Sequence, residues 1–217
     1  MVKVRVQEQN RAAAIGRYSC MWQLGITSAD AKSARARAVA LVPQLRRIIR
    51  ATRPRVLYTH NPADKHDTHI STLIGVLTAV RSLPKAERPA IVYGCEVWRD
   101  LDWLCDEDRV LFDVSENPQL SRDICGVFES QISGGKRYDD AVLGRRTAHA
   151  TFFATHTLDF ATALQYGMEL TPLAFDNVPD DGAPIDAPEL VDDMTRFVLA
   201  KVDRLRDNIA TRIRVHA

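Results

Sequence analysis

Three of the six histidines of this chain lie in one short segment, Tyr58-Thr59-His60-Asn61-Pro62-Ala63-Asp64-Lys65-His66-Asp67-Thr68-His69. His66 and His69 are three residues apart at the start of a predicted helix, so both imidazoles share one helix face and can address one point. Such a pair suits a metal ligand beside an acid or a hydrogen-bond donor. The alternative is a polar loop in which His66 caps the helix and His69 bonds a backbone carbonyl. The spacing alone leaves both open, because catalytic zinc takes three protein ligands.

The elements around this segment alternate between strand and helix patterns. Short apolar, β-prone runs predict strands at 54–60, 90–97, 109–114 and 170–175. Apolar residues at helical spacing predict helices at 5–15, 28–52, 67–83, from 117 or 121 to 131, and 138–166. This order favours an α/β fold with a Rossmann-like, largely parallel sheet flanked by helices. Such sheets carry functional groups in the loops that follow the strands, and residues 60–69 form one of these loops.

The domain organisation follows from composition. We predict one domain over residues 1–176. Residues 177–188 are rich in proline and aspartate, which indicates a linker. Residues 189–217 predict an amphipathic helix, packed on the domain or on a second subunit of a homo-oligomer.

From Thr59 to His69 the segment resembles the second motif of the LmbE-like (PIG-L) family of zinc-dependent N-deacetylases, Thr-His-x-x-x-Asp-x-His-x-Asp/Thr-His. The resemblance extends over about residues 5 to 175 and includes the Arg-, Glu/Gln- and Ala-rich helix Arg5 to Gly16 and the pair Ser130-Gln131. It implies that His69 binds zinc and that His66 assists, as an acid or electrostatic partner, beside the reacting carbonyl. Zinc lowers the pKa of its bound water towards 7, and a carboxylate then takes the proton.

Carboxylates flank the two histidines. Asp64 and Asp67 are candidates to orient the imidazoles by hydrogen bonding, and either is equally a candidate helix cap.

The chain departs from the family at its first motif, because no His-x-Asp-Asp occurs in the sequence. The adjacent aspartate pairs all lie downstream of the histidines and lack that histidine: Asp139-Asp140, Asp180-Asp181 and Asp192-Asp193. The resemblance therefore implies that two zinc ligands, the general base and the family's first strand are missing. We expect weak metal binding and little activity, with either a start codon further upstream or a degenerate copy as the origin.

Further candidate residues would bind substrate. Glu96 follows a predicted strand and could meet substrate hydroxyls, the alternative being a surface carboxylate. Arg137 and Arg145, with their neighbours Lys136 and Arg146, flank a helix. Guanidinium groups match sugar or phosphate oxygens, and a solvated basic face is the alternative.

The overall charge limits the kinds of binding partner to expect. Lys and Arg number 29 against 28 Asp and Glu, a net charge of +1, which predicts no general attraction to nucleic acid or to membranes. The N-terminus lacks a signal-peptide core and no window is apolar enough to span a membrane, so we expect a cytoplasmic protein. The resulting hypothesis is an amide hydrolase that deacetylates an N-acetylated sugar or sugar conjugate with zinc. The alternatives are an inactive or truncated LmbE-like chain acting as a binding or subunit protein, and an unrelated α/β binding domain.

Overall fold

The computed structural model describes residues 2–185 and 188–216, without the side chain at 216. Four strands are described: β1 (Val56–His60), β2 (Ile91–Cys95), β3 (Val110–Asp113) and β4 (Leu164–Glu169). The α-helices are α1 (Val2–Ile15), α2 (Ser28–Lys32), α3 (Ala34–Ala36), α4 (Val42–Thr52), α5 (Asp67–Arg81), α6 (Pro118–Gly126), α7 (Glu129–Ile132), α8 (Tyr138–Thr151), α9 (Thr171–Phe175) and α10 (Glu189–His216). A π-helix (Arg37–Leu41) precedes α4, and 3-10 turns cover Lys85–Glu87 and Asp106–Asp108.

The strands form one mixed sheet in the order β1-β2-β4-β3. β1 and β2 are parallel, with Val56 opposite Ile91 and His60 opposite Cys95, whereas β2 and β4 are antiparallel. The α/β class is therefore confirmed, but the prediction of a largely parallel sheet is replaced by a mixed one.

The prediction of the strands was wrong in one region of the sequence, residues 164–175. Residues 164–166 were expected to end a helix, yet residues 164–169 form β4, in which Leu164, Tyr166 and Met168 are buried. The strand expected at 170–175 is the short helix α9, because Pro172 stands in its first turn, where a missing N–H costs nothing.

The helix expected at 28–52 is broken into shorter pieces. The Ser33 hydroxyl accepts a hydrogen bond from the Ala36 N–H, so Ser33 ends α2 and starts α3. Pro43 lies in the first turn of α4 and follows the π-helix, in which the Val42 N–H reaches back to the Arg37 carbonyl. In this segment Val39 is 71% exposed, while Val42 and Ile49 are buried.

Helix α5 carries the core beneath the histidine segment. Leu73, Leu77 and Val80 have no exposed surface, and α5 contacts α2, α4, β1, α9 and α10. Because β1 ends at His60 and α5 begins at Asp67, the intervening turn is held at one end by a strand of the sheet and at the other by this helix.

The chain divides into two compact units, one with residues up to 23 and Leu111–Gln165, the other with Leu24–Val110 and the residues from Tyr166 onward. Within the second unit, the segment expected to be a linker bonds to residues near the end of α5. The Lys85 N–H donates to the Asp180 carbonyl and the Ala183 N–H to the Arg81 carbonyl. Residues 186 and 187 of that segment lie outside the described residues.

Helix α10 follows this segment. Its Leu190 and Met194 are buried, and its Asp193 accepts a hydrogen bond from Arg81 at 2.6 Å. Across residues 2–185 and 188–216, no helix combines the length and the apolar content that crossing a bilayer requires.

Candidate metal centre

The turn between β1 and α5 is fixed by a buried asparagine. Asn61 is fully buried, its side-chain amide donates to the Cys95 carbonyl at 3.0 Å, and its Oδ1 accepts from the Ala63 N–H at 2.9 Å. The amide therefore ties the turn to the end of the neighbouring strand β2. As a result, His60 and the residues that follow it have a defined position beyond the ends of two parallel strands.

Asp64 is the buried carboxylate of this turn. Its Oδ1 accepts from the His66 N–H at 3.1 Å, and its Oδ2 lies 3.0 Å from His69 Nδ1 and accepts from the Trp98 N–H at 3.3 Å. Burial alone would raise the pKa of the Asp64 carboxyl, but the hydrogen bonds from His69, His66 and Trp98 outweigh it and lower the pKa. Asp64 is therefore an anion at neutral pH and holds three parts of the turn together.

His60, Asp64 and His69 form a group that could hold a metal ion, with one potential ligand atom of each lying within 4.8 Å of the others. The pKa of His60 is lowered to about 4, chiefly by burial and then by the neighbouring His69. A neutral imidazole keeps a lone pair on one ring nitrogen, which is the form that binds metals.

The two imidazole rings are stacked rather than convergent. The ring centroids of His60 and His69 are 3.9 Å apart with an interplanar angle of 7°. A metal ion lies near the plane of each imidazole that binds it, so one ion cannot lie in two separate parallel planes. Tetrahedral ligands at about 2.1 Å from zinc are also only about 3.4 Å apart. The residues present fit a metal by type and proximity, provided that at least one ring turns when the ion binds.

Two arrangements are compatible with this group. Asp64 either binds the ion itself or keeps its hydrogen bond to His69 Nδ1, which leaves His69 Nε2 to bind the ion. The first arrangement gives two histidines and one carboxylate, the ligand set of catalytic zinc sites with an open position and also of non-haem iron sites.

His66 lies beside the group and is exposed. Its ring is 4.5 Å from that of His69 at 29° and 5.9 Å from that of Trp98 at 21°. Lys65 Nζ lies 6.0 Å from the centre of the Trp98 ring. A solvent-facing imidazole therefore stands next to the potential metal ligands, where it can contact a bound molecule.

The structure thus brings His66, His69 and Asp64 together, and adds His60, which the sequence analysis did not assign as a ligand. The signal for His60 was its place at the end of the predicted strand 54–60, as the first residue of the loop 60–69 that carries the other histidines. Asp67 is exposed in the first turn of α5, where its charge favours the helix terminus.

The three residues expected to bind substrate lie in other surroundings. Glu96 is buried, and its two carboxylate oxygens accept the N–H groups of Leu101 and Tyr166, each at 3.1 Å. Arg137 and Arg145 belong to the other unit, where Arg137 is paired with Asp139 and Asp140 and Arg145 lies on α8.

Comparison of the chain with models of known protein families and with curated proteins finds no match. The likeness to LmbE-like deacetylases therefore depends mainly on the motif from Thr59 to His69.

Proposed function

We propose that this chain is a zinc-dependent amide hydrolase acting on an N-acetylated sugar or sugar conjugate, with the metal between His60, Asp64 and His69. The observation that carries the proposal is the proximity of two imidazoles and one carboxylate within 4.8 Å, at the turn that follows β1. The motif resemblance supplies the substrate class and the reaction. The Rossmann-like topology, a cytoplasmic location and a homo-oligomeric state belong to the same proposal.

In this proposal His60 and His69 hold the ion, and Asp64 either joins them or orients His69. A bound zinc ion supplies a water of lowered pKa and polarises a carbonyl oxygen. His66 is exposed beside His69, so its imidazole is the group that stabilises or protonates the oxygen of the attacked amide. Trp98, stacked near His66, provides an apolar surface on which a sugar ring can lie.

A second candidate is a chain that binds metal without hydrolysing an amide. The potential metal group contains a single carboxylate, which cannot serve at once as a ligand and as the base that deprotonates water. Glu96 has both oxygens engaged by backbone N–H groups, and Asp67 is exposed on α5. This favours a binding or subunit role for the same site.

The test measures zinc content and zinc affinity first, and acetate release second. Purified protein is stripped with chelator, titrated with zinc by calorimetry, and then assayed for acetate released from N-acetylglucosamine and its glycosides. We expect one zinc per chain, with an affinity loss of more than about 100-fold in His60→Gln and His69→Gln, since even residues behind the ligands contribute about 10–100-fold. His156→Gln, at an exposed histidine of the other unit, is the matched control.

The outcomes separate the two candidates. Zinc binding with acetate release that His66→Gln abolishes supports the hydrolase. Zinc binding without acetate release supports the second candidate. No zinc binding, or binding that only His156→Gln weakens, overturns both.

A further inference from the structure

A cavity of about 210 Å³ lies within the unit that contains α6 and α8, apart from the histidine segment in the sequence. This volume is below the roughly 300–1,000 Å³ of pockets for drug-sized ligands, so it suits a small molecule. The residues that line it are Val114, Ser115, Pro118, Ser121, Arg122, Leu143, Arg146, Thr147, Thr162 and Ala163. They include two arginines and four hydroxyl side chains, and none of them is acidic.

The two arginines have no carboxylate partner. Arg146 donates from Nε to the Gln165 side-chain oxygen at 2.9 Å, which orients its guanidinium and leaves the terminal nitrogens available. Neither Arg146 nor Arg122 forms an ion pair with any residue in the described parts of the chain. Arg137, in the same unit, does pair, with Asp139 and Asp140. Two guanidinium groups without a carboxylate partner at one cavity, Arg122 exposed and Arg146 half-buried, are chemically suited to an anionic ligand.

Hydrogen bonds of the Ser115 side chain fix one part of the cavity wall. Ser115 Oγ accepts from the N–H groups of Thr162 and Ala163 at 2.9 and 3.1 Å, which joins two segments of the wall. Pro118 and Ser121, in the first turn of the nine-residue helix α6, also line the cavity. Pro118 has no N–H and the Ser121 N–H donates to the Asn117 carbonyl, so this turn favours an anion through the positive end of the helix dipole and not through these N–H groups. The nearby Asp113 carboxylate accepts from the Ser115 N–H and is not part of the lining.

We propose that this cavity is a binding site for a small phosphate monoester, held by Arg122 and Arg146 with the lining hydroxyl groups of Ser121 and Thr162. Arginine forks bind phosphate oxygens in pairs, and the aliphatic lining formed by Val114, Leu143 and Ala163 accommodates the carbon portion of the ligand. The site is independent of the metal group, because none of its lining residues belongs to that group.

The experiment titrates the full chain with glucose 6-phosphate, with inorganic phosphate and with glucose, by calorimetry in the presence of a metal chelator. The chelator removes any phosphate bound through a metal ion. We expect binding of glucose 6-phosphate and of inorganic phosphate but not of glucose. Arg146→Gln and Arg122→Gln should each weaken binding at least about tenfold, as expected for the loss of hydrogen bonds to a charged group.

The matched control is Arg11→Gln, which removes the same charge from an exposed arginine of the same unit that does not line the cavity. It should bind glucose 6-phosphate as the unaltered chain does. Arg146→Lys keeps the charge but loses the planar fork, and we expect intermediate affinity. The proposal is overturned if neither phosphate compound binds, or if Arg11→Gln weakens binding as much as Arg146→Gln.

Discussion

Replacing Asp64 by asparagine tests how the metal turn is held together. The side chain keeps its shape, but one of its two oxygens becomes an amide that cannot accept a hydrogen bond. In the structure Oδ1 serves the His66 N–H, while Oδ2 serves His69 Nδ1 and the Trp98 N–H. Whichever way the new amide turns, at least one backbone N–H loses its acceptor inside the fold.

The magnitude follows from that lost bond. A donor left without an acceptor in a buried position costs about 1–3 kcal/mol, so Asp64→Asn should lower the free energy of unfolding by about that amount. For a chain of this size each kcal/mol corresponds to about 2–4 °C in Tm. The assay is urea unfolding followed by circular dichroism with chelator present, so that no metal contributes to stability. Asp67→Asn, on the exposed first turn of α5, should change the stability by less than about 0.5 kcal/mol.

The same variant reports on metal binding. A ligand present at about 100 times its Kd adds about 2.7 kcal/mol to stability, so zinc should stabilise the unaltered chain measurably and Asp64→Asn much less. If Asp64→Asn unfolds at the same urea concentration as the unaltered chain and is stabilised equally by zinc, our description of the turn is refuted.

Three further predictions concern residues elsewhere in the fold. Glu8 is buried and accepts from the N–H and hydroxyl of Ser130 at 2.7 and 2.8 Å, and the backbone bond is the main cause of its lowered pKa. The contribution of ionised Glu8 to stability is therefore present above the ordinary glutamate pKa and is lost as the pH falls through the lower folded pKa. Glu8→Gln should make the free energy of unfolding less dependent on pH in the acid range, and an unchanged dependence would contradict this. Gly94→Ala places a Cβ 3.0 Å from the Asn61 Cα, so it should lower the free energy of unfolding by about 1–3 kcal/mol and weaken zinc binding in the same titrations. Normal zinc affinity would show that the turn shifts without disturbing the metal group. Leu77→Ala should cost about 2–5 kcal/mol in urea unfolding, because this side chain has no exposed surface; a loss below about 1 kcal/mol would place Leu77 outside the core.

The elements that flank the metal turn could be predicted from the sequence because their local signals agree. The β-prone run before Asn61-Pro62 and the helical spacing of Ile70, Leu73 and Leu77 both correspond to what the chain forms, β1 and α5. The prediction for residues 164–175 was wrong because helical and strand signals compete in this region. Antiparallel pairing of β4 with β2 selects the strand.

The candidate site was predictable in part for a similar reason. Local spacing predicts that His66 and His69 lie together at the start of a helix, and it identified Asp64 as a candidate partner of the imidazoles. In the structure His66 is the extended residue directly before α5, and His69 lies in the first turn. Spacing does not show which way His60 points from the end of a strand, nor that its ring stacks on His69. That contact depends on tertiary packing, and it changes the inferred ligand number from one histidine to a three-residue group.

The most direct test is a crystal structure of the zinc-soaked protein with anomalous diffraction recorded on both sides of the zinc edge. Our account predicts one anomalous peak about 2.0–2.2 Å from a ring nitrogen of His60 and of His69, with the two rings no longer parallel and Asp64 bound to the ion or to His69. A peak at another place, or rings still stacked in fully zinc-loaded protein, would contradict it.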